Sequence, residues 1–458
     1  MSSGSLRRAG AVLLVLGVIG SAAAGPAWAE PAPAGGDASR AALSLAAAGD
    51  CNFPIEQDVV SKPWALQRVF LSELWGEDQR PGGKPSASPS GGTPGDDPGN
   101  RTGRDVTVAV IDTGVDANNP QLAGKVQGGR DLLGENPPEG QQRPEGNSLT
   151  DKVGHGTKVA GIIAAAQKPG IGFVGLAKDA TILSIRQNDA EGHGSVKTLA
   201  EAISEAVAKG AEVINISQDV RIQNDPSKTQ SADLDNPSFP DASNLTAALK
   251  EAERRDVVVV ASSGNDGGEG ATYPAAYSWV LAVGASDRNN ERASFSQYGD
   301  FVDVAAPGVD MLSTVPGHGQ CTDNGTSFSA PYVAGLAAIL KGMHPTWKAQ
   351  QIRTVIEQTA QRTEHGANKY IGWGVVDPVK AVEYATVPGP SESPHPDPST
   401  KLDAVPLVAQ PLGLEETQAD RDRRTGTFVL GIGALVVAGL AGGSVVARDM
   451  GRRRSRHG

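Results

Sequence analysis

The stretch Val106-Thr107-Val108-Ala109-Val110-Ile111-Asp112-Thr113-Gly114 decides the architecture. Its nearly unbroken β-branched run reads as a strand buried on both faces, and strands of that kind belong to parallel sheets covered by helices. The same pattern repeats outward from it. Ala180–Arg186, Glu212–Ser217 and Val257–Ala261 read as further strands. His155–Ala166, Val196–Lys209 and Asn244–Arg254 carry helical periodicity between them. Alternating strands and helices predict an α/β domain with a mostly parallel central sheet flanked by helices. The pattern closes near Glu383, after Gly372-Trp373-Gly374-Val375-Val376-Asp377. In such sheets functional groups gather at the carboxyl ends of strands. Asp112, Ser217 and the Gly264-Asn265 turn all fall there.

Three short segments supply the chemistry. They are Val110-Ile111-Asp112-Thr113-Gly114, Gly154-His155-Gly156-Thr157 and Gly325-Thr326-Ser327-Phe328-Ser329-Ala330-Pro331. Each alone has a bland reading, as a turn, a helix start or an N-cap. Together they give an aspartate, a histidine and a serine in one of the chain orders used by serine hydrolases. Ser327 is the expected nucleophile, since a serine hydroxyl becomes reactive once a neighbouring base takes its proton. His155 is the expected base. Asp112, ending a buried strand, would fix the imidazole tautomer and stabilise its protonated form. Asn265, in Ser262-Ser263-Gly264-Asn265-Asp266-Gly267, is the expected oxyanion donor through its side-chain amide. Ser217 and Gln218 would offer backbone groups to an extended substrate strand. No cofactor or metal site is expected. His193, His318, His344 and His365 lack ligand spacing, and no motif turns Asp131 or Asp151 into a calcium site.

The ends of the 458-residue chain place this domain. Residues 1–29 carry Arg7 and Arg8, an apolar run from Ala9 to Ala24, then Ala27-Trp28-Ala29. That is the pattern of a secretory signal peptide, with a retained signal anchor as the alternative. Phe428 to Ala447 contains no charge and is followed by Arg448, Arg452, Arg453, Arg454 and Arg456. A transmembrane helix over 427–447 with a basic cytoplasmic tail over 448–458 follows, which puts the catalytic part outside the membrane. Between the two ends we expect an N-terminal extension over 30–103, with a Gly/Pro/Ser-rich flexible loop at 81–100. The catalytic domain is expected over 104–385 and a Pro-rich, then charged linker over 386–426. Within the extension, Trp64, Leu66, Val69, Phe70, Leu74 and Trp75 fit one helical stripe. The net charge of −11 argues against nucleic acid as a partner. Cys51 and Cys321 are the two cysteines, and in an exported chain they suggest one disulfide, tying the extension to the loop before Ser327; two free thiols are the alternative.

The region from about 104 to 383 resembles the subtilisin-like (S8) serine proteases, whose triads run Asp, His, Ser. More closely it resembles the mycosins, membrane-anchored proteases of type VII secretion. The likeness rests on Gly172-Phe173-Val174-Gly175-Leu176-Ala177, Ile182-Leu183-Ser184-Ile185-Arg186-Gln187, Val213-Ile214-Asn215-Ile216-Ser217 and the Ser327 segment. It implies a subtilisin-like fold and an endopeptidase that cleaves exported proteins beside a membrane secretion complex. It also implies that the N-terminal extension wraps the catalytic domain rather than blocking it. The chain departs from mycosins near the histidine and after Ser217, where Lys152 and Gln218-Asp219 stand without the expected cysteines. Two rival readings remain beside it: a structural stabiliser of the secretion complex with dispensable proteolysis, and a general cell-surface degradative protease.

Overall fold

The computed structural model describes residues 43–44, 51, 53–77, 96–97, 99–135, 145–189, 194–220, 235, 237–239, 241–362, 364–384 and 418–454. The leader expected over 1–29, most of the loop at 81–100 and the linker as far as 417 lie outside the described residues. The chain divides into two compact units, residues 1–398 and 399–458.

In chain order the first unit holds β1 (Leu43–Ser44), α1 (Trp64–Gln67), α2 (Leu71–Leu74), β2 (Thr107–Asp112), β3 (Val126–Asp131), α3 (Leu132–Glu135) and α4 (His155–Ala164). There follow β4 (Thr181–Arg186), α5 (Val196–Ala208), β5 (Val213–Ile216), β6 (Asp219–Val220), α6 (Ala242–Arg254) and β7 (Val258–Ser262). The unit ends with β8 (Val280–Ser286), β9 (Val304–Pro307), β10 (Met311–Thr314), β11 (Gln320–Asp323), α7 (Thr326–Met343), α8 (Ala349–Thr359) and α9 (Pro378–Tyr384). Seven strands form one sheet in the order β3-β4-β2-β5-β7-β8-β9, and every pairing in it is parallel. This is the mostly parallel α/β arrangement that the β-branched runs predict, in the subtilisin-like form that the resemblance implies.

Side chains alternate across β2, and its two faces explain the apolar run over residues 106–111. Val108 and Val110 enter a core shared with α4, α7 and α8, whereas Ala109 and Ile111 enter a second core shared with α5 and α6. A strand buried on both faces has no polar face to show, hence the continuous apolar sequence. Helix α7 is buried along its whole length, so it is apolar all round rather than amphipathic. It runs through the first core with Ser327 in its opening turn.

The stripe from Trp64 to Trp75 is not one helix. It forms two single turns, α1 and α2, interrupted where Phe70 takes a non-helical ψ of 84°. Of the stripe, Leu66, Val69, Leu74 and Trp75 join the first core and Trp64 packs against it, whereas Phe70 is 64% exposed and Leu71, outside the stripe, is buried instead. The two indoles show why the chain must bend. Trp64 Nε1 donates to Val309 O at 2.9 Å and Trp75 Nε1 to Leu176 O at 3.0 Å, two separate anchor points on the catalytic domain. Ahead of them, Cys51 and Cys321 form the disulfide. Cys321 lies within strand β11 of the β10–β11 hairpin, not in a loop as expected.

In the second unit one helix, α10 (Gln418–Arg454), is described. It begins inside the expected linker and runs past both ends of the 427–447 span. Its apolar side chains, Phe428 to Val446, are exposed. Its most apolar 18 residues have a mean hydropathy of 2.2, so the helix is long and apolar enough to cross a membrane.

Candidate active site

Asp112 is the last residue of β2 and is fully buried. Its Oδ1 accepts the Thr113 N–H at 2.8 Å and lies 2.7 Å from His155 Nδ1, a charge-assisted contact. His155 is the first residue of α4 and is 1% exposed. Gly156 lets that helix close on the strand. A Cβ there would lie 2.1 Å from Gly114 O and 3.1 Å from Asp112 Cβ, so only glycine fits without moving the main chain.

A second carboxylate, Asp151, holds the start of α4. Its Oδ1 accepts from Thr113 Oγ1 at 2.9 Å, Gly154 N at 2.8 Å and Val153 N at 3.1 Å. Its Oδ2 accepts from Thr157 N at 2.8 Å and Thr157 Oγ1 at 2.7 Å. A carboxylate at the N-terminus of a helix satisfies amides that the helix itself leaves unpaired. In the sequence alone Asp151 stands only as a candidate calcium ligand. The signal for its role was its position four residues before His155. Asp131, the other candidate, faces Arg186 at 3.6 Å. Among the described residues no cluster of potential metal ligands occurs.

Ser327 is the second residue of α7 and is 1% exposed. Its Oγ donates to Ser217 O at 3.1 Å, and Ser217 Oγ donates to Ser327 O at 2.9 Å. His155 Nε2 has no hydrogen-bond partner among the described residues. The next ring along α7, Phe328, lies 5.4 Å from the imidazole centroid to centroid. Asn265 lies three residues beyond β7. Its Oδ1 accepts both Thr326 N at 2.9 Å and Thr326 Oγ1 at 3.0 Å. With its oxygen fixed in that way, the amide NH2 of Asn265 is left for another acceptor. Thr326 is therefore a positioning residue that motif reading passed over.

Electrostatics at His155 are a contest. Burial pulls its pKa down, but the charge of Asp112 and the hydrogen bond to it outweigh burial and hold the imidazole above its ordinary value of 6.5. Lys158 pulls it down and Asp151 lifts it. The Asp151 carboxyl is itself raised, first by burial and in part by Asp112, against the hydrogen bonds that favour its ionised form.

Gln218 is buried, and its Nε2 donates to Gln187 Oε1 at 2.6 Å. Strand β6, directly after it, pairs antiparallel with β1: Leu43 opposite Val220 and Ser44 opposite Asp219.

A seven-stranded parallel sheet, with an aspartate, a histidine and a serine at the mouths of its strands and helices in that chain order, defines the class of subtilisin-like hydrolases. The chain belongs to the subtilase family, whose profile matches residues 103–374. It is 39% identical over 276 residues to subtilisin BL of Lederbergia lenta, covering 60% of this chain and 90% of that relative. To thermitase of Thermoactinomyces vulgaris it is 37% identical over 282 residues, 62% of this chain and 90% of the other. The solved structure of MycP1 with the N-terminal propeptide removed matches at a TM-score of 0.58 and 30% identity, covering 73% of this chain and 100% of that one. The MycP3 protease from the type VII (ESX-3) secretion system matches at a TM-score of 0.56 and 29% identity, covering 75% and 92%. The mycosin likeness read from the sequence thus has structural counterparts, and the chain is a subtilisin-like serine endopeptidase.

Proposed function

We propose that Ser327 is the nucleophile, His155 the general base and Asp112 the residue that orients it, in an endopeptidase acting outside the cell membrane. The observation that carries this reading is the 2.7 Å contact of His155 Nδ1 with Asp112 Oδ1, which leaves Nε2 to take a proton. Ser327 Oγ turns from Ser217 O toward His155 Nε2 by rotation about χ1, because catalytic hydrogen bonds often tighten only with substrate bound. Oγ then attacks the scissile carbonyl carbon as Nε2 takes its proton. The carbonyl oxygen becomes negative and receives a hydrogen bond from Asn265 Nδ2. Collapse expels the amine, which takes the proton from His155, and water hydrolyses the Ser327 ester by the same route. The backbone of Ser217 and Gln218 receives the substrate as an added strand.

The membrane reading rests on α10. At about 1.5 Å per residue, the uncharged stretch Phe428–Ala447 matches a hydrocarbon core of about 30 Å. The arginines that follow it support a cytoplasmic C-terminus and a protease domain outside. Likeness to MycP1 and to the MycP3 protease of a type VII system supports work beside such a secretion complex, on exported proteins.

The deciding experiment incubates purified protein and Ser327→Ala with secreted proteins and sequences the N-termini of the fragments. Fragments made by the wild type alone support the reading; identical fragments from both sink it. Detergent extraction followed by affinity purification tests the partner, and a protein recovered alone counts against the complex.

A further inference from the structure

Lys158 is a buried cation one turn along α4 from His155. Its Nζ lies 2.7 Å from Asp323 Oδ2, and the two side chains are only 2% and 5% exposed. Asp323 ends β11, four residues ahead of Ser327, and its Oδ1 accepts the Asn324 N–H at 2.8 Å. The Phe328 ring sits between the two halves of the site. It is 5.9 Å from Lys158 Nζ and 5.4 Å from the His155 ring. The same hairpin holds the main chain of this turn. Thr314 Oγ1 donates to Thr157 O at 3.0 Å and Ser313 Oγ to Lys158 O at 2.6 Å.

A buried ion pair is poor value as a source of stability. Desolvating both charges offsets most of their attraction, and an apolar pair of like volume is often as stable or more so. What such a pair supplies is a fixed, directional tie between two elements and a local field. This one joins the helix that carries His155 to the strand that leads into Ser327.

We propose that Lys158 and Asp323 are positioning residues of the active site: their ion pair fixes the first turn of α4 against the β11–α7 junction and so sets the approach of His155 to Ser327. The inference rests on the roles given to those two residues above. It has an electrical consequence as well. The charged groups facing His155 are Asp112 from β2, Asp151 from the segment before α4, and Lys158 from α4 itself, with Asp323 of β11 opposing Lys158. Removing Lys158 takes away a cation that disfavours imidazolium. Removing Asp323 leaves an unopposed cation that disfavours it.

The test is kcat and KM against pH for Lys158→Met and Asp323→Asn, beside the wild type, Lys158→Arg and Ser327→Ala, with folding checked by circular dichroism. In both single variants kcat falls about tenfold or more, the scale of a sub-ångström to 1 Å misplacement, while KM stays within about twofold. The acid limb of kcat/KM moves to higher pH in Lys158→Met and to lower pH in Asp323→Asn. Lys158→Arg, which keeps the charge, recovers most of kcat. Wild-type kcat, or limbs that stay still or move the same way, overturns the proposal. Where a single variant does not fold, the charge-free pair Lys158→Met with Asp323→Leu carries the test: a tenfold loss in kcat with KM held supports it, and wild-type kcat overturns it. Ser327→Ala keeps the two readings apart. Activity remaining in Ser327→Ala sinks the triad itself, whereas an inactive Ser327→Ala with an unaffected Lys158→Met sinks only the ion pair's role.

Discussion

Ser217 and Ser327 exchange two hydrogen bonds: Ser217 Oγ donates to the main-chain oxygen of Ser327 at 2.9 Å, and Ser327 Oγ donates to the main-chain oxygen of Ser217 at 3.1 Å. Asn215 Nδ2 in turn donates to Ser217 Oγ at 2.9 Å. The carboxyl end of β5 is thereby tied to the first turn of α7, with the proposed nucleophile inside the tie. Ser217→Ala leaves two buried groups unsatisfied, the Ser327 carbonyl and the Asn215 amide. Each such loss costs about 1–3 kcal/mol. Urea unfolding of Ser217→Ala is expected to show a destabilisation on that scale together with a lower kcat; an unchanged midpoint refutes the tie.

Asn265 has its oxygen committed to Thr326 and its amide NH2 left over. As an oxyanion donor it acts on the transition state and hardly on the bound substrate. Asn265→Ala is therefore expected to lower kcat by about 10²–10³ with little change in KM. Thr326→Val removes one of the two bonds that fix Asn265, and a smaller loss in kcat alone is expected. A rise in KM with kcat intact would assign Asn265 to substrate binding instead.

The acid limb of kcat/KM reports His155. Asp112 holds the imidazole above 6.5, so the limb is expected above that value. Asp112→Asn removes the charge that outweighs burial, so the limb moves down, and kcat falls by about 10⁴ as the tautomer is lost. Stability carries the same sign. The imidazolium–carboxylate pair stabilises the folded state fully below pH 6.5, and this contribution is lost as pH rises through the raised folded value. Asp112→Asn should flatten that part of the stability profile.

Two carboxyls away from the site make stability depend on pH in the same direction. Burial lifts Asp303, just before β9, to about 7; burial and then the charge of Asp303 lift Glu357, in α8, to about 8. Unfolded, the two titrate at 3.8 and 4.5. Between those limits the folded protein binds more protons than the unfolded one, so stability falls as pH rises toward about 8. Glu357→Gln removes one of the two titrations. Its urea midpoint should drop less than that of the wild type between about pH 5 and pH 8.5, and an equal drop counts against the assignment.

What the sequence discloses follows from where each interaction is made. The three valines Val258 to Val260 are legible as a strand because both their faces are buried, and alternation is then absent for a physical reason. Strand β3, Val-Gln-Gly-Gly-Arg-Asp, is an edge strand with exposed positions, so no run of apolar residues marks it. The β10–β11 hairpin is equally mute, since Ser313, Thr314 and Gln320 are polar residues buried by partners from other segments. Asp112, His155 and Ser327 stand in recognisable local motifs. Thr326 acts on Asn265 through atoms that come together only in the folded chain, and nothing local separates it from an ordinary cap; Asp151 is marked only by its place four residues before His155. The single stripe expected from Trp64 to Trp75 fails for a similar reason: the break at Phe70 leaves that side chain in solvent and turns Leu71 inward, which a helical period does not foresee.

The strap that begins at Cys51 is pinned to the β10–β11 hairpin by more than sulfur. Ile55 N donates to His318 O at 2.9 Å and Val59 N to Gln320 Oε1 at 2.8 Å. The disulfide joins positions 270 residues apart and so restricts a long stretch of the unfolded chain. Replacing both cysteines by serine is expected to cost about 2–4 kcal/mol. Because Cys321 lies two residues before Asp323, a fall in kcat alongside the lower Tm is also expected. A double variant with the wild-type Tm would show that the hydrogen bonds alone hold the strap.

Leu43 and Ser44 pair with β6, the strand that continues directly from Ser217 and Gln218. Main-chain groups on one side of a strand pair with one neighbour at a time, so an extended substrate added to this edge competes with residues 43–44. A chain lacking residues 30–49 keeps Cys51 and with it the disulfide. Its KM for an extended peptide is expected to fall several-fold with kcat unchanged, because the catalytic groups are untouched while the edge is free. A synthetic peptide spanning residues 40–48, added back, should raise KM again without lowering kcat. An unchanged KM in the shortened chain would mean that substrate pairs elsewhere, and that the Ser217–Gln218 edge is not the binding strand.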